Sequence, residues 1–368
     1  MAPYFFVFGL ASLFALNPIN LSKELEKFLW ILVIIVGTLF IGLRYEVGGD
    51  WLNYVHSYNR LSVLPVNEWM NVSRFDPGYL AIVLICSIFD TGVMGVNLFC
   101  GFIVMNCLVF FARQQPLPWL TIVAAIPFFI IGVSMGTVRQ GVALSIVLVA
   151  LTYVDKNIFR YCVWILIAAL FHKSGVVMLG LAFFKIRNKY ALFGLISLVL
   201  TVGVIFSQLD SVRILMLAYI LDPDYQSDGA WIRVLVSMLP FVGTLLFYKK
   251  MISEYPDYWA YFLIGIGTII LMYFSFSFST LVDRVAYYTI PLQLALWPRI
   301  IAVQDQPLMR AYFKVSFISG YLVMLYVWLV FANHSWAWLP YQIYWPGENG
   351  LTPSTLCLAH QQGYCTRI

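Results

Sequence analysis

Residues 158–184 read IFRYCVWILIAALFHKSGVVMLGLAFF. Apart from Arg160, His172 and Lys173 the run carries no charge. It is long and apolar enough to enter a bilayer as helix. Yet His172, Lys173, Ser174 and Gly175 interrupt it near its middle. Polar backbone at membrane depth is tolerated only where protein buries it or a water-filled cavity adjoins it. The run is therefore expected to break near His172 and to cross the membrane twice as two short helices.

The rest of the chain has the same character. Of its 368 residues, 62% are hydrophobic and 11% are charged. An average soluble domain is about 25% charged. A soluble fold has no place for so much apolar side chain, whereas a bilayer does. Closed barrels would alternate with period two, and these runs are unbroken. The expected fold class is an all-α polytopic integral membrane protein.

Apolar runs fall at 3–16, 27–43, 94–112, 117–133, 139–154, 158–184, 190–208, 231–248, 258–276, 284–302 and 312–332. A weaker one lies at 76–90. Residues 1–16 carry no basic leader, so they are taken as the first span and not as a cleaved signal peptide. Lys and Arg are retained on the cytoplasmic side of short loops. Lys23 and Lys27, Lys156 and Arg160, the group Lys185, Arg187 and Lys189, the pair Lys249 and Lys250, and Arg299, Arg310 and Lys314 all read as inside. These assignments agree if 76–90 is re-entrant and 158–184 crosses twice. The total is then about 12 crossings, within a range of about 10–14, with both termini outside. Residues 1–332 form one transmembrane helical domain with outer-face loops 44–75 and 209–230. Residues 333–368 form an extracytoplasmic tail. Arg44, Arg60, Arg74, Arg139, Lys173, Arg213, Arg233, Arg284 and Arg367 fall outside against the bias, so chemistry is sought there.

The net charge of +5 is scattered, with no basic patch for nucleic acid. Cys86, Cys100, Cys107 and Cys162 lie in apolar runs as packing residues. Cys357 and Cys365 lie in the polar tail, where a disulfide and free thiols are equally open readings.

Five polar clusters stand out, because polar groups at membrane depth are expensive and tend to be functional. The first is Arg44-Tyr45-Glu46-Val47-Gly48-Gly49-Asp50-Trp51, with Tyr54 one turn on. Its glycines permit a sharp turn, and Arg44 is either an anion ligand or an interfacial residue. The second, Phe75-Asp76-Pro77-Gly78-Tyr79, reads first as a turn and helix start. In the third, Gly136-Thr137-Val138-Arg139-Gln140, Arg139 sits near a helix N-terminus, where anions bind. The fourth is Phe171-His172-Lys173-Ser174-Gly175, whose histidine is either a general base or a buried packing residue. The fifth is Asp283-Arg284 with Tyr287 and Tyr288, read equally as a structural pair or as a second anion site. Arginines, a histidine and acids on one face point to a phosphate or diphosphate ligand. No Walker loop, zinc-binding His-Glu-x-x-His or Gly-x-Ser-x-Gly elbow is present. Nor does a DxD-like acidic pair follow an early span, which argues against a metal-dependent glycosyltransferase. No metal or other cofactor is expected.

The order Arg44…Gly49-Asp50…Tyr54, Asp76-Pro77, Arg139-Gln140, Phe171-His172-Lys173-Ser174, Asp283-Arg284…Tyr288 and Pro340-Tyr341 resembles the EpsG family. These are Wzy-like polymerases of bacterial exopolysaccharides, capsules and O antigens. The likeness spans nearly the whole chain, and only about 346–368 has no counterpart. It implies a glycan donor on undecaprenyl diphosphate and a second lipid-linked repeat unit as acceptor. It implies reaction at the outer face of the bacterial inner membrane, and a chain-length co-polymerase as partner. Arg139 and Arg284, with Arg44 third, would then stabilise the departing diphosphate. His172 or Asp50 would take the acceptor's proton. Gly49, Trp51, Tyr54, Asp76, Gln140, Lys173, Ser174 and Tyr288 would line the substrate site, with Trp51 and Tyr54 stacking on sugars. Displacement would invert the anomeric centre. A lipid-linked glycan ligase is the nearest alternative, since it needs the same cationic site. A transporter fits less well, for no inverted repeat is visible and the polar groups gather on one face. A membrane O-acyltransferase also carries a histidine in apolar sequence, but these arginines favour diphosphate over a thioester.

Overall fold

Local chemistry sets several helix starts. Ser22 accepts a hydrogen bond from the Leu25 amide at 3.3 Å, ahead of Glu24 and Glu26 in the first turn. Asn157 accepts one from the Arg160 amide at 3.0 Å. Pro77, Pro118 and Pro307 open three other helices, where a missing N–H costs nothing.

The computed structural model describes residues 1–16, 22–73, 75–186, 229–277 and 279–344. In chain order the helices are α1 (Ala2–Leu16), α2 (Lys23–Gly42), α3 (Trp51–Ser62), α4 (Trp69–Val72), α5 (Pro77–Ile88), α6 (Gly92–Ala112), α7 (Pro118–Ala125) and α8 (Val138–Leu151). Then come α9 (Ile158–Phe171), α10 (Gly180–Lys185), α11 (Ala230–Leu245), α12 (Tyr248–Glu254), α13 (Tyr258–Phe274), α14 (Ser279–Ala286), α15 (Ile290–Ala302) and α16 (Pro307–Phe331). Among the described residues there is no extended strand, only an isolated bridge between Arg44 and Ile343. The all-helical expectation holds.

Helix α8 is the centre of the bundle. Of its 14 residues, every one except Arg139 is buried. A helix that is apolar all round belongs inside. It packs against α6 and α9, and α6 packs in turn on α2. Gly42 lets α2 approach α6 closely, since a Cβ there would lie 2.7 Å from the Leu98 Cα. On the outer surface Phe6, Leu13, Phe28, Leu246, Tyr273 and Phe331 are exposed. Such a surface suits lipid.

Three described helices are long and apolar enough to cross a membrane: α2, α6 and α16. The pair α11 and α12, bent by 89°, would make a fourth. The expected total of about 12 crossings goes beyond this. α5 has 12 residues, too short to cross unaided, as expected for 76–90. The run 158–184 breaks where its polar residues predict. α9 ends at Phe171, His172 is extended, and a 3₁₀ segment covers Lys173–Leu179 before α10.

The run 284–302 departs from its expected single helix. α14 gives way to a 3₁₀ turn at Tyr287–Thr289 before α15 begins. Pro291 explains the interruption, because its ring excludes a continuous helix through 287–291. The run 117–133 is also irregular, with α7 widening into a π-helical segment at Ile126–Ser134 that contains Pro127. The run 190–208, nearly all of loop 209–230, and Cys357 and Cys365 lie outside the described residues.

Gly48 ties three segments together. It has φ +111°, its amide donates to the Ala337 carbonyl at 2.8 Å, and a Cβ would collide with the Met135 carbonyl oxygen. Gly48→Ala should therefore destabilise the protein by at least about 2 kcal/mol. The check is the heating midpoint at which the detergent-solubilised protein loses its monodisperse peak in size-exclusion chromatography. An unchanged midpoint would contradict the packing described.

Candidate active site

The first cluster is a scaffold. Arg44 follows α2 and is 1% exposed. Its Nε donates to the Val47 carbonyl at 3.1 Å, its Nη1 to the Ile41 carbonyl, and its Nη2 to Asn97 Oδ1 at 3.3 Å. Burial pulls its pKa down to about 10, and the hydrogen bonds compensate the buried charge. The expected role of Arg44 as a diphosphate ligand does not fit, because all three of its nitrogens are engaged inside the protein. Two backbone bonds lock the same segment to the tail: Tyr45 N to Gln342 O at 2.9 Å and Tyr344 N to Leu43 O at 2.7 Å. Trp338 completes the lock, with Nε1 donating to the Ile131 carbonyl at 3.0 Å and its ring close to Gly49 and Gly136.

The second and third clusters meet. Asp76 begins α5, but its side chain makes no cap and instead lies 3.3 Å from Arg139 Nη1. The Arg139 guanidinium stacks 4.5 Å from the centroid of the Phe75 ring. Its backbone amide donates to Tyr54 Oη at 3.5 Å. The Arg139 side chain stays 22% exposed, so it can be reached from outside. Burial raises the pKa of Asp76, while Arg139, Lys173 and the facing Lys173 amide pull it back. The pairing of Asp76 with Arg139 goes beyond the simple turn that its sequence favoured.

The fourth and fifth clusters meet as well. His172 Nδ1 lies 2.6 Å from Ser174 Oγ, and Ser174 Oγ lies 3.0 Å from Tyr288 Oη. Gln140 Nε2 donates to the Arg284 carbonyl at 2.6 Å, which ties the start of α8 to the end of α14. Asp283 is bridged to Arg233 at 2.5 Å. His172 sits past the last residue of α9, and burial followed by the charges of Arg139, Arg284 and Lys173 lowers its pKa to about 3. The ring is thus neutral near pH 7. Asp50 precedes α3, is half-buried, accepts from Asn53 Nδ2 at 3.5 Å, and acts electrostatically on Tyr54 and Tyr287.

The structure therefore gathers Asp50, Tyr54, Asp76, Arg139, Gln140, His172, Lys173, Ser174, Arg284 and Tyr288 at one end of α8. Trp51, Tyr54, Gln140 and Gly49 take packing positions. Trp51 and Tyr54 are 4% and 5% exposed and packed among aromatic rings, so neither offers an open face to a sugar. Gln140 is 1% exposed and clamps backbone. Its Oε1 is buried without a hydrogen-bond partner among the described residues. Gly49 shapes the turn beside Trp338.

Asn97 and Trp338 lie outside the five polar clusters, and the partner of Asp283 is Arg233. Asn97 was a detectable polar residue within an apolar run, and Arg233 stood among the arginines that broke the charge bias. The partners of Trp338 carried no signal at all, since the contact spans 207 residues.

Chemically, the arrangement offers a reachable arginine, a second arginine, a lysine and a neutral histidine around a buried carboxylate. Such groups are chemically able to hold an anion and to handle a proton. The EpsG family profile matches residues 27–343. No curated protein and no solved structure matches the chain.

The two arginines should respond differently to substitution. Arg44→Gln should cost roughly 3 kcal/mol of stability, because it leaves buried acceptors unpaired. Arg139→Gln should cost less, about 1 kcal/mol by the same heating midpoint, because the Arg139 side chain is 22% exposed and glutamine can still donate to Asp76. Equal losses in both variants would contradict the division into scaffold and site.

Proposed function

Because the chain belongs to the EpsG family, the family of Wzy-like polysaccharide polymerases, we propose that it joins lipid-linked oligosaccharide repeat units. The donor is a glycan on undecaprenyl diphosphate, and the acceptor is a second unit of the same kind. The site faces the periplasm, the protein lies in the bacterial inner membrane with about 12 crossings, and a chain-length co-polymerase is a natural partner. The charge bias of the loops supports this orientation.

The observation that carries the reading is Arg139. It is the one residue of α8 that is not buried, and it sits beside His172 and Arg284 in apolar surroundings. Fixed cations there stabilise charge that develops on a leaving diphosphate more strongly than they would in water. The donor is already activated, so no nucleotide is required. An acceptor hydroxyl attacks the anomeric carbon, and the bond from that carbon to the diphosphate oxygen breaks. The electron pair leaves on the diphosphate, held by Arg139, Arg284 and Lys173. Asp50 or His172 takes the hydroxyl proton. One displacement inverts the anomeric centre. Asp76, through its ion pair, and Tyr54, through the Arg139 amide, hold Arg139 in position.

The same cationic site would serve a lipid-linked glycan ligase, and the acceptor separates the two. Deletion of the gene should collapse the surface glycan ladder to a single repeat, and restoration should return it. Arg139→Ala and Arg284→Ala, at normal expression, should each reduce polymer by about 100-fold or more. Full-length ladders from both variants would overturn the site. Loss of attached glycan with accumulation of lipid-linked polymer would instead identify a ligase.

A further inference from the structure

Tyr288 is 2% exposed, and its hydroxyl carries one proton that needs an acceptor. Among the described residues its hydrogen-bond partner is Ser174 Oγ, at 3.0 Å. A buried hydroxyl left without an acceptor is costly, so Tyr288 donates to Ser174. Ser174 also has one proton to give, and its other partner is His172 Nδ1, at 2.6 Å. Ser174 therefore donates to Nδ1. The reverse order, with Nδ1–H donating to Ser174 and Ser174 to Tyr288, strands the buried tyrosine proton.

A ring nitrogen that accepts a hydrogen bond carries no proton, and in a neutral imidazole the proton is then on the other nitrogen. We propose that the Tyr288–Ser174–His172 chain fixes His172 as the Nε2–H tautomer, a hydrogen-bond donor to the departing diphosphate, and leaves Asp50 as the base. The role in catalysis rests on the polymerase reading, whereas the tautomer does not. His172 is half-buried, and among the described residues the hydrogen bond of its ring is the one at Nδ1. The charges of Arg139, Arg284 and Lys173 all act on the ring, which suits an anion as the partner of Nε2–H. In the transfer the acceptor hydroxyl proton passes to the Asp50 carboxylate as the new carbon–oxygen bond forms. The old bond breaks with its electron pair on the diphosphate oxygen. His172 keeps its proton throughout. Ser174 and Tyr288 touch no substrate and are positioning residues.

The tautomer is read without substrate. The chain has four histidines, so a ¹⁵N-histidine spectrum of the detergent-solubilised protein is simple, and His172→Gln identifies the signal of His172 by its loss. At neutral pH the signal should show Nε2 protonated and Nδ1 bare, and Tyr288→Phe should move it. A ring protonated at Nδ1, or at both nitrogens, overturns the proposal whatever the protein polymerises.

The role is read from turnover of lipid-diphosphate-linked repeats. Glutamine keeps a donor N–H near the Nε2 position but cannot take a proton at neutral pH. His172→Gln should keep activity within about tenfold of the parent, with the same pH profile, while His172→Ala loses about 100-fold or more. Tyr288→Phe should lower kcat with KM little changed, and should add nothing in the His172→Gln background. If His172→Gln is as inactive as His172→Ala, or loses the acidic limb of the pH profile, His172 is the base and the assignment of Asp50 falls.

Discussion

Interrupting a helix inside an apolar protein releases backbone and side-chain polar groups that must find partners, and this chain interrupts its helices repeatedly beside one place. The turn at 44–50, the start of α5 at Asp76, the break at His172 and the 3₁₀ turn at 287–289 all border the N-terminal end of α8. Their polar groups satisfy one another. Asp76 takes Arg139, Ser174 joins His172 to Tyr288, and Gln140 holds the Arg284 carbonyl. The ion pair between Asp76 and Arg139 is the hub, because α5, α8, the Phe75 ring and the Lys173 segment meet there. Without it the cation on the otherwise buried α8 would lose the carboxylate that orients it.

The opposite end of α8 is built from charges with a different purpose. Asp155, beyond the C-terminal end of α8, accepts from Lys185 at 2.6 Å and from the Trp259 indole at 3.1 Å. Arg299 is 4% exposed, forms a two-pronged bond to Asp257 at 3.0 and 2.8 Å, and lies 4.6 Å from the ring centroids of both Tyr255 and Tyr261. Its Nε donates to Gln115 at 3.2 Å. Arg44 belongs with Arg299 in this respect: each has its guanidinium spent on protein partners and so holds helices together. Arg139 differs in being partly exposed while it pairs with the Asp76 carboxylate. Fixed cations that remain reachable suit a transient anion, whereas fully enclosed ones suit architecture.

Much of this was legible in residues. Unbroken apolar runs implied helices, and the His172 to Gly175 interruption marked the break in 158–184 within a residue. Of the cations that go against the charge bias, Arg139, Lys173 and Arg284 all act on His172. What escaped has a common physical cause. Arg44 and Arg139 look alike in sequence, both following or opening an apolar run, and only distant residues decide which is buried: Asn97 and the tail in one case, Asp76 in the other. Aromatic residues near a site resemble sugar platforms until packing shows Trp51 and Tyr54 enclosed. The interruption of 284–302 was signalled by Pro291, but hydropathy alone ran straight through it.

The central claim is that cations at this site expel a lipid diphosphate as one glycan joins another. The most direct measurement supplies the purified protein with lipid-diphosphate-linked repeat units and follows both products. The account predicts a doubled glycan on one lipid carrier and one equivalent of free polyprenyl diphosphate, with inversion at the new linkage. Transfer of glycan to water or to another acceptor alone, or formation of the doubled glycan with retained configuration, would contradict it.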